Sequence, residues 1–297
     1  MSFTAEVKTE LSDIGQLSAE LKRAYAYGFL LFGKSFSARS VSCASDYECV
    51  INSFREVVFE LTGIESSVTQ LKSGKYVLKI SSSADRKKLI EFFDHSVNEI
   101  SLRINHGNFE VDECYCAFLR GAFMSCGSIS NPDKGYHLEF VVQYNKLSGD
   151  LLKMLTNLSL SAKYILRKYS HVIYLKGSEN IEDLLTMMGA PQSSLYLMGI
   201  KVQKDVKNKI NRKMNFESAN MSRAIEAGLA QVSAIEIIEK KQGLDSLSDE
   251  LKELAVLRRD NPDMSLKELG AALSVPISRS GVNHRLAKLI SIAEKYK

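Results

Sequence analysis

A short apolar motif occurs twice in this chain. Gly28-Phe29-Leu30-Leu31-Phe32-Gly33 and Ala122-Phe123-Met124-Ser125-Cys126-Gly127 lie 94 residues apart, and each closes an apolar helical pattern with glycine, as a helix C-terminus should. The likeness extends along the chain. At the same offset the helical pattern over 55–61 falls on 149–155, and the alternating strand 75–80 falls, shifted by about a residue or two, on 172–176. Residues 88–93 meet 183–188 at an offset of 95. Four elements in one order at nearly one offset point to duplication. A duplicated chain must bury the same faces twice, so the two copies are expected to pack about a pseudo-two-fold axis.

Each copy reads as a helix, a strand pair, a helix, a second strand pair and a closing helix. In copy one these span 18–32, 34–43, 47–62, 65–81 and 84–98; in copy two, 112–126, 128–143, 147–159, 162–176 and 178–188. The class is therefore α+β, with the opening helices free to pack on each other. Gly28 and Ala122 occupy equivalent positions, where small residues let two backbones approach.

The texture changes near residue 193. Lys201, Lys204, Lys207, Lys209, Arg212 and Lys213 meet only Asp205 in opposition. Residues 201–297 carry 18 Lys and Arg against 13 Asp and Glu, whereas 1–200 carry 21 against 22. Such asymmetry is expected where one module meets a polyanion. The pattern divides the chain into halves at 1–104 and 105–200, a basic linker at 201–216 and a helical domain at 217–297. A helix over 217–242 ends before Gly243, another opens at Ser248, and Ser265-Leu266-Lys267-Glu268 is a capping box that starts a third.

Residues 265–289, SLKELGAALSVPISRSGVNHRLAKL, have the layout of a helix-turn-helix. Gly270 stands where the two helices cross and Val282 is the anchor of the following helix. Their separation of 12 positions requires a turn longer than the tightest examples. In the last helix Val282, Leu286, Leu289 and Ala293 share an arc of about 60° at 3.6 residues per turn. The opposite face carries Ser280, His284, Ala287, Lys288, Ser291 and Lys295, flanked by Asn283 and Arg285, with no acid before Glu294. A recognition helix needs such donors for phosphates and base edges. Arg279 and Ser280 stand at its N-terminus, where free backbone N–H groups favour phosphate. The candidate DNA-binding residues are thus Arg279, Ser280, Asn283, His284, Arg285 and Lys288, within a motif from Ser265 to Lys295. Lys207, Lys209, Arg212 and Lys213 are candidates for phosphate contact.

AFLRGAFMSCGSISNPDKGYHLE (117–139) and LGAALSVPISRSGVNHRLAKL (269–289) resemble the WhiA family of bacterial sporulation and cell-division regulators. The resemblance covers nearly the whole chain, including Lys8-Thr9-Glu10-Leu11 and Asn211-Arg212 followed by Glu217-Ser218-Ala219-Asn220. It implies a duplicated domain like the LAGLIDADG homing endonucleases, joined to an all-α helix-turn-helix domain. It further implies double-stranded DNA as partner, together with RNA polymerase or other transcription and division proteins. The processes implied are cell division, chromosome segregation and sporulation gene transcription.

Such nucleases need a carboxylate before the closing glycine of each motif, because magnesium wants hard oxygen ligands. Phe32 and Cys126 stand at these vestigial metal positions, and Asp133 and Glu139 lie outside the helix end. No catalytic residue, metal or cofactor is expected. Cys114-x-Cys116, with His106 and His137 nearest, has the wrong spacing for a structural zinc site. Five scattered cysteines make no disulfide framework. Without a long apolar run or a basic, apolar start, the chain is expected in the cytoplasm, associated with the nucleoid. Two alternatives stand beside the regulator: a protein-interaction adaptor tethered to DNA, and a residual homing-type endonuclease, which the missing acids disfavour.

Overall fold

A short helix, α1 (Phe3–Leu11), precedes two copies of one arrangement. In the first, α2 (Ala19–Leu31) leads to strands β1 (Ser35–Ser37) and β2 (Ser40–Ser45), then α3 (Glu48–Thr62), β3 (Ser67–Gln70), β4 (Tyr76–Lys79) and α4 (Ser83–Phe92). The second repeats the order with α5 (Glu113–Cys126), β5 (Gly127–Ile129), β6 (Leu138–Val142), α6 (Asn145–Asn157), β7 (Lys163–Arg167), β8 (Ser170–Leu175) and α7 (Ser178–Met188). The strands pair antiparallel in matching orders, β1-β2-β4-β3 and β5-β6-β8-β7. This is the duplicated α+β fold that the repeat called for. The structure, a computed structural model, describes residues 2–13, 17–99 and 101–296.

Helix ends show the duplication as clearly as the sheets. Past α4, Asp94 adopts φ 55° and the His95 amide reaches back to the Ile90 carbonyl at 3.1 Å. Past α7, Gly189 adopts φ 88° and the Ala190 amide reaches Leu185 at 2.8 Å. Both are left-handed helix stops, with Asp tolerated where glycine is the usual occupant. This stop is why the closing helix of copy one ends at Phe92 rather than at the expected 98.

At the centre α2 and α5 cross with backbones nearly touching. A methyl group on Gly28 would lie 2.1 Å from the Phe118 carbonyl oxygen, and one on Gly121 would lie 2.0 Å from that of Tyr25. The reciprocal pair is therefore Gly28 with Gly121, not the Gly28 and Ala122 of the 94-residue repeat. Around this crossing Phe29 stacks on Phe54, with ring centroids 4.2 Å apart, and Phe118 and Phe123 are fully buried. Each sheet turns alternate residues to this core. Phe36, Val41, Cys43 and Leu78 point in from the first sheet, and Leu138, Phe140, Ile173 and Leu175 from the second.

Residues 201–216, expected as a linker, are helical throughout. They belong to α8 (Pro191–Gln242), whose C-terminal half is the helix expected over 217–242. No glycine or proline occurs between Gly199 and Gly228, so nothing in that stretch breaks the hydrogen-bond ladder. Lys207, Lys209, Arg212 and Lys213 sit on solvated helix faces, whereas Lys201 pairs with Glu179 at 3.2 Å and Lys204 donates to the Pro132 carbonyl. The first turn of α8 is held by Glu10 of α1, whose carboxylate accepts the Gln192 amide at 2.8 Å and the Ser193 amide at 3.0 Å. An anion there satisfies orphan N–H groups and the positive end of the helix dipole. By contact density the chain forms two units, Met1–Lys204 and Asp205–Lys297.

In the second unit α8 is followed by α9 (Asp249–Asp260), α10 (Leu266–Ala272) and α11 (Arg279–Glu294). Ile235 and Ile238 of α8, Leu254 and Ala255 of α9, Leu269 of α10, and Val282, Leu286, Leu289 and Ala293 of α11 form one buried core.

Candidate DNA-binding surface

The α10–turn–α11 segment is built by capping and one close approach. Ser265 accepts the Glu268 amide at 3.3 Å while its own amide donates to the Glu268 carboxylate at 2.8 Å, the reciprocal cap expected from the sequence. Leu269 then faces inward. A methyl group on Gly270 would lie 2.5 Å from the Ile277 carbonyl oxygen and 3.1 Å from a Val282 methyl. The residue before the turn and the anchor beyond it thus meet, and the Ile277 amide donates to the Gly270 carbonyl at 3.0 Å. Gly270 and Val282 make the contact foreseen for them.

Two further restraints carried no sequence signal of their own. Glu253 of α9 takes the Ser274 amide at 2.6 Å and the Ser274 hydroxyl at 2.9 Å, which ties the long turn to the scaffold. Arg258 is 4% exposed; it donates to the Gln231 side chain at 2.9 Å and to the Met264 carbonyl. Burial lowers its guanidinium from the usual range. Removing Gln231 would leave a buried charge short of a partner, which is costlier than losing a surface bond.

Helix α11 starts at Ser278, whose hydroxyl accepts the Gly281 amide at 3.2 Å. Arg279, Ser280, Asn283, His284, Ala287, Lys288 and Ser291 are exposed on it, while Val282, Leu286, Leu289 and Ala293 are buried. Arg285 departs from the expected set. Its guanidinium lies 2.7 Å from the Glu250 carboxylate of α9 and is only 23% exposed, so it braces the helix pair instead of facing out. Lys207, Lys209, Arg212 and Lys213 are all exposed on α8, with Lys213 4.0 Å from Glu217.

Charge within 217–297 is balanced at 12 Lys and Arg against 12 Asp and Glu, so any attraction to a polyanion comes from segregation. Helix α9 carries Asp249, Glu250, Glu253 and Asp260 beside Lys252, Arg258 and Arg259, whereas the outward face of α11 holds Arg279, His284 and Lys288 with no acid among them. The net excess of cations lies in 201–216.

In the first unit the vestigial metal positions hold no carboxylate. Phe32 caps α2, is 7% exposed and packs edge-on against Phe118 at 5.9 Å. Cys126 ends α5, and burial pushes its thiol up to about 12, with Lys8 pulling the other way. Lys8 of α1 reaches the same helix end. Its Nζ donates to the Met124 carbonyl at 3.0 Å and lies 5.7 Å from the centres of the Tyr47 and Phe123 rings. Burial lowers this ammonium to about 8. A cation thus meets the negative end of α5. Glu139 is engaged on the sheet by His137 and Arg167, each at 3.0 Å, and Asp133 lies in an exposed turn.

Comparison with known proteins places this geometry among relatives. Residues 115–207 match the family model for the WhiA LAGLIDADG-like domain, and residues 210–293 match that for the WhiA C-terminal HTH domain. A Clostridium botulinum protein named probable cell division protein WhiA is 36% identical, over 100% of this chain and 99% of its own. A Clostridium perfringens protein of the same name is 35% identical over the same shares. Full-length DUF199/WhiA from Thermotoga maritima superposes with a TM-score of 0.61 at 24% identity, covering 99% of each chain.

Proposed function

This chain belongs to the WhiA family, and on that premise we propose that it is a DNA-binding regulator acting in cell division. The observation that carries the reading is the outward face of α11: Arg279, Ser280, Asn283, His284 and Lys288 are exposed together, with no acid among them. These are donors for phosphates and base edges at the spacing of a major-groove helix. Lys207, Lys209, Arg212 and Lys213 supply phosphate contacts that hold the unit on DNA without reading sequence. The relatives' name supports a role in division. Control of sporulation genes and of chromosome segregation, a place at the nucleoid in the cytoplasm, and contact with RNA polymerase are proposed extensions of that role. Among the described residues no helix is long and apolar enough to cross a membrane.

The test is binding of duplex DNA by fragments 1–200, 201–297 and 217–297 at matched salt. Fragment 201–297 is expected to bind, 1–200 far less, and 217–297 more weakly than 201–297. The salt dependence should be shallower for the shorter fragment, by a slope of about one per lost phosphate contact. Equal affinity of 1–200 and 201–297 would overturn the assignment.

The first unit is proposed as a platform for protein partners rather than a nuclease. The outer face of its first sheet carries Ser35, Ser37, Ser40, Ser67 and Thr69, with Lys79 the cation among them and Ser42 buried beneath. Ser35 is bonded to Ser40 at 2.8 Å and to Ser42 at 2.7 Å. A nearly neutral hydroxyl surface attracts a polyanion poorly. With Phe32 and Cys126 at the helix ends, supercoiled plasmid incubated with the protein in Mg²⁺ or Mn²⁺ is expected to remain uncut. Nicking that disappeared on replacing Cys126 or Asp133 would restore the nuclease.

A further inference from the structure

Six large apolar side chains form a stripe along α8 inside the second unit: Val206, Ile210, Met214, Met221, Ile225 and Leu229. Each is more than half exposed, from 51% at Val206 to 68% at Met221. Contiguous apolar surface of this extent is rare on a chain that works alone and marks a contact site. The stripe is palindromic. Met214 and Met221 stand equally far from the bond between residues 217 and 218, as do Ile210 and Ile225, and Val206 and Leu229. A helix face with that symmetry is complementary to its own reverse.

We propose that this stripe is the seam of an antiparallel homodimer of the chain. Pairing two copies about the 217–218 bond sets methionine against methionine, isoleucine against isoleucine and valine against leucine, so every layer is apolar on both sides. A two-fold interface requires such self-complementarity. Charge selects the antiparallel direction. Lys207, Lys209, Arg212 and Lys213 lie in one half of the stretch, whereas the other half, with Arg223 and Glu226, is neutral. A parallel pair would stack all four cations on their own copies; the antiparallel pair sets them against the neutral half, with Lys209 level with Glu226 and Arg212 level with Arg223 of the second copy. Glu217, near the axis, already faces Lys213 of its own chain at 4.0 Å.

Geometry agrees with this occupant. Steps of four residues advance around a helix of 3.6 residues per turn, so the two copies cross with i, i+4 rows interdigitated. Contact is then densest at Met214 and Met221, whose flexible side chains fill irregular gaps. Six side chains more than half exposed offer roughly 600 Å² per copy; inclined helices bury mainly the inner four, less than the roughly 800 Å² per partner of a standard stable interface, which makes this a weak, concentration-dependent dimer.

The test is sedimentation equilibrium of the full chain at up to about 100 µM, where mass action favours association. A mass rising with concentration towards twice that of the chain is expected, and the Ile210→Glu, Ile225→Glu double variant should sediment as a monomer with unchanged circular dichroism. As a second measurement, the Met214→Cys, Met221→Cys variant is oxidised with oxidised glutathione and its cross-linked peptides are identified by mass. Links joining 214 to 221 of the other copy, and absent from each single variant, support the antiparallel seam. Links from 214 to 214 mean a parallel pair and overturn it, as does a dimer that survives the glutamate substitutions. A monomer at every concentration also overturns it.

Discussion

Replacing Gly28 with alanine is expected to destabilise the first unit by about 3 kcal/mol or more, at the upper end of the range for overpacked sites. The added methyl would sit 2.1 Å from the Phe118 carbonyl oxygen and 3.0 Å from the Ala122 amide nitrogen, both backbone atoms that no rotamer change can move. Relief requires α2 and α5 to separate, which would loosen the layer of Tyr25, Tyr27, Phe29, Phe118 and Phe123 built around them. A drop of roughly 10 °C in melting temperature follows for a unit of this size. Gly121→Ala should behave alike, and the double variant should cost less than the sum, because one separation relieves both contacts. Gly149 supplies the control. It lies inside α6, and a methyl there meets nothing within 4 Å. Gly149→Ala should therefore be neutral or stabilising by up to about 1 kcal/mol through helix propensity. Thermal melts of the variants decide the matter; a wild-type melt for Gly28→Ala would mean that the helices do not touch there.

The same crossing shows what the sequence reveals and what it hides. The repeat was legible because glycines closing two helices, and the strands after them, recur at 94 or 95 residues. The helix pair itself runs in another register: Tyr25 faces Gly121 while Phe118 faces Gly28, an offset of 93. Aligning the terminal glycines points to Ala122 and passes over Gly121, since chain-end stops and helix contacts obey different geometric needs. Helix α8 was hidden for a related reason. A run of cations resembles a solvated linker, yet lysine and arginine are good helix formers, and only a breaker would end the ladder. The apolar stripe between those cations was the available signal, and it spans the supposed linker boundary at 216.

In the second unit the local devices were legible: the Ser265–Glu268 cap, the Gly270–Val282 contact and the buried face of α11. What escaped were pairings between elements distant in sequence, namely Glu253 with Ser274, Arg258 with Gln231, and Arg285 with Glu250. A helical wheel assigns Arg285 to a flank and leaves its partner open. Only packing α9 beside α11 brings Glu250 within 2.7 Å and removes that guanidinium from the outward face.

That division of α11 leads to the sharpest expectation for DNA. Replacing Asn283, His284 or Lys288 by alanine should lower affinity for the preferred site roughly 10- to 100-fold each, as expected for a lost base contact. The same changes should leave binding to unrelated DNA nearly unchanged. All three side chains are exposed and none supports the core, so the melting temperature should stay at the wild-type value. Lys207→Ala and Arg212→Ala should instead weaken every sequence alike and lower the salt slope by about one unit each. Arg285→Ala is expected to have a third signature, a small loss of stability with site preference retained, because its charge is already matched by Glu250. Titrations of preferred and scrambled duplexes at several salt concentrations separate the three behaviours. If His284→Ala and Lys288→Ala left site preference untouched, the reading surface would have to lie elsewhere. A change in preference on replacing Arg285 would mean that the Glu250 pair opens when DNA is bound.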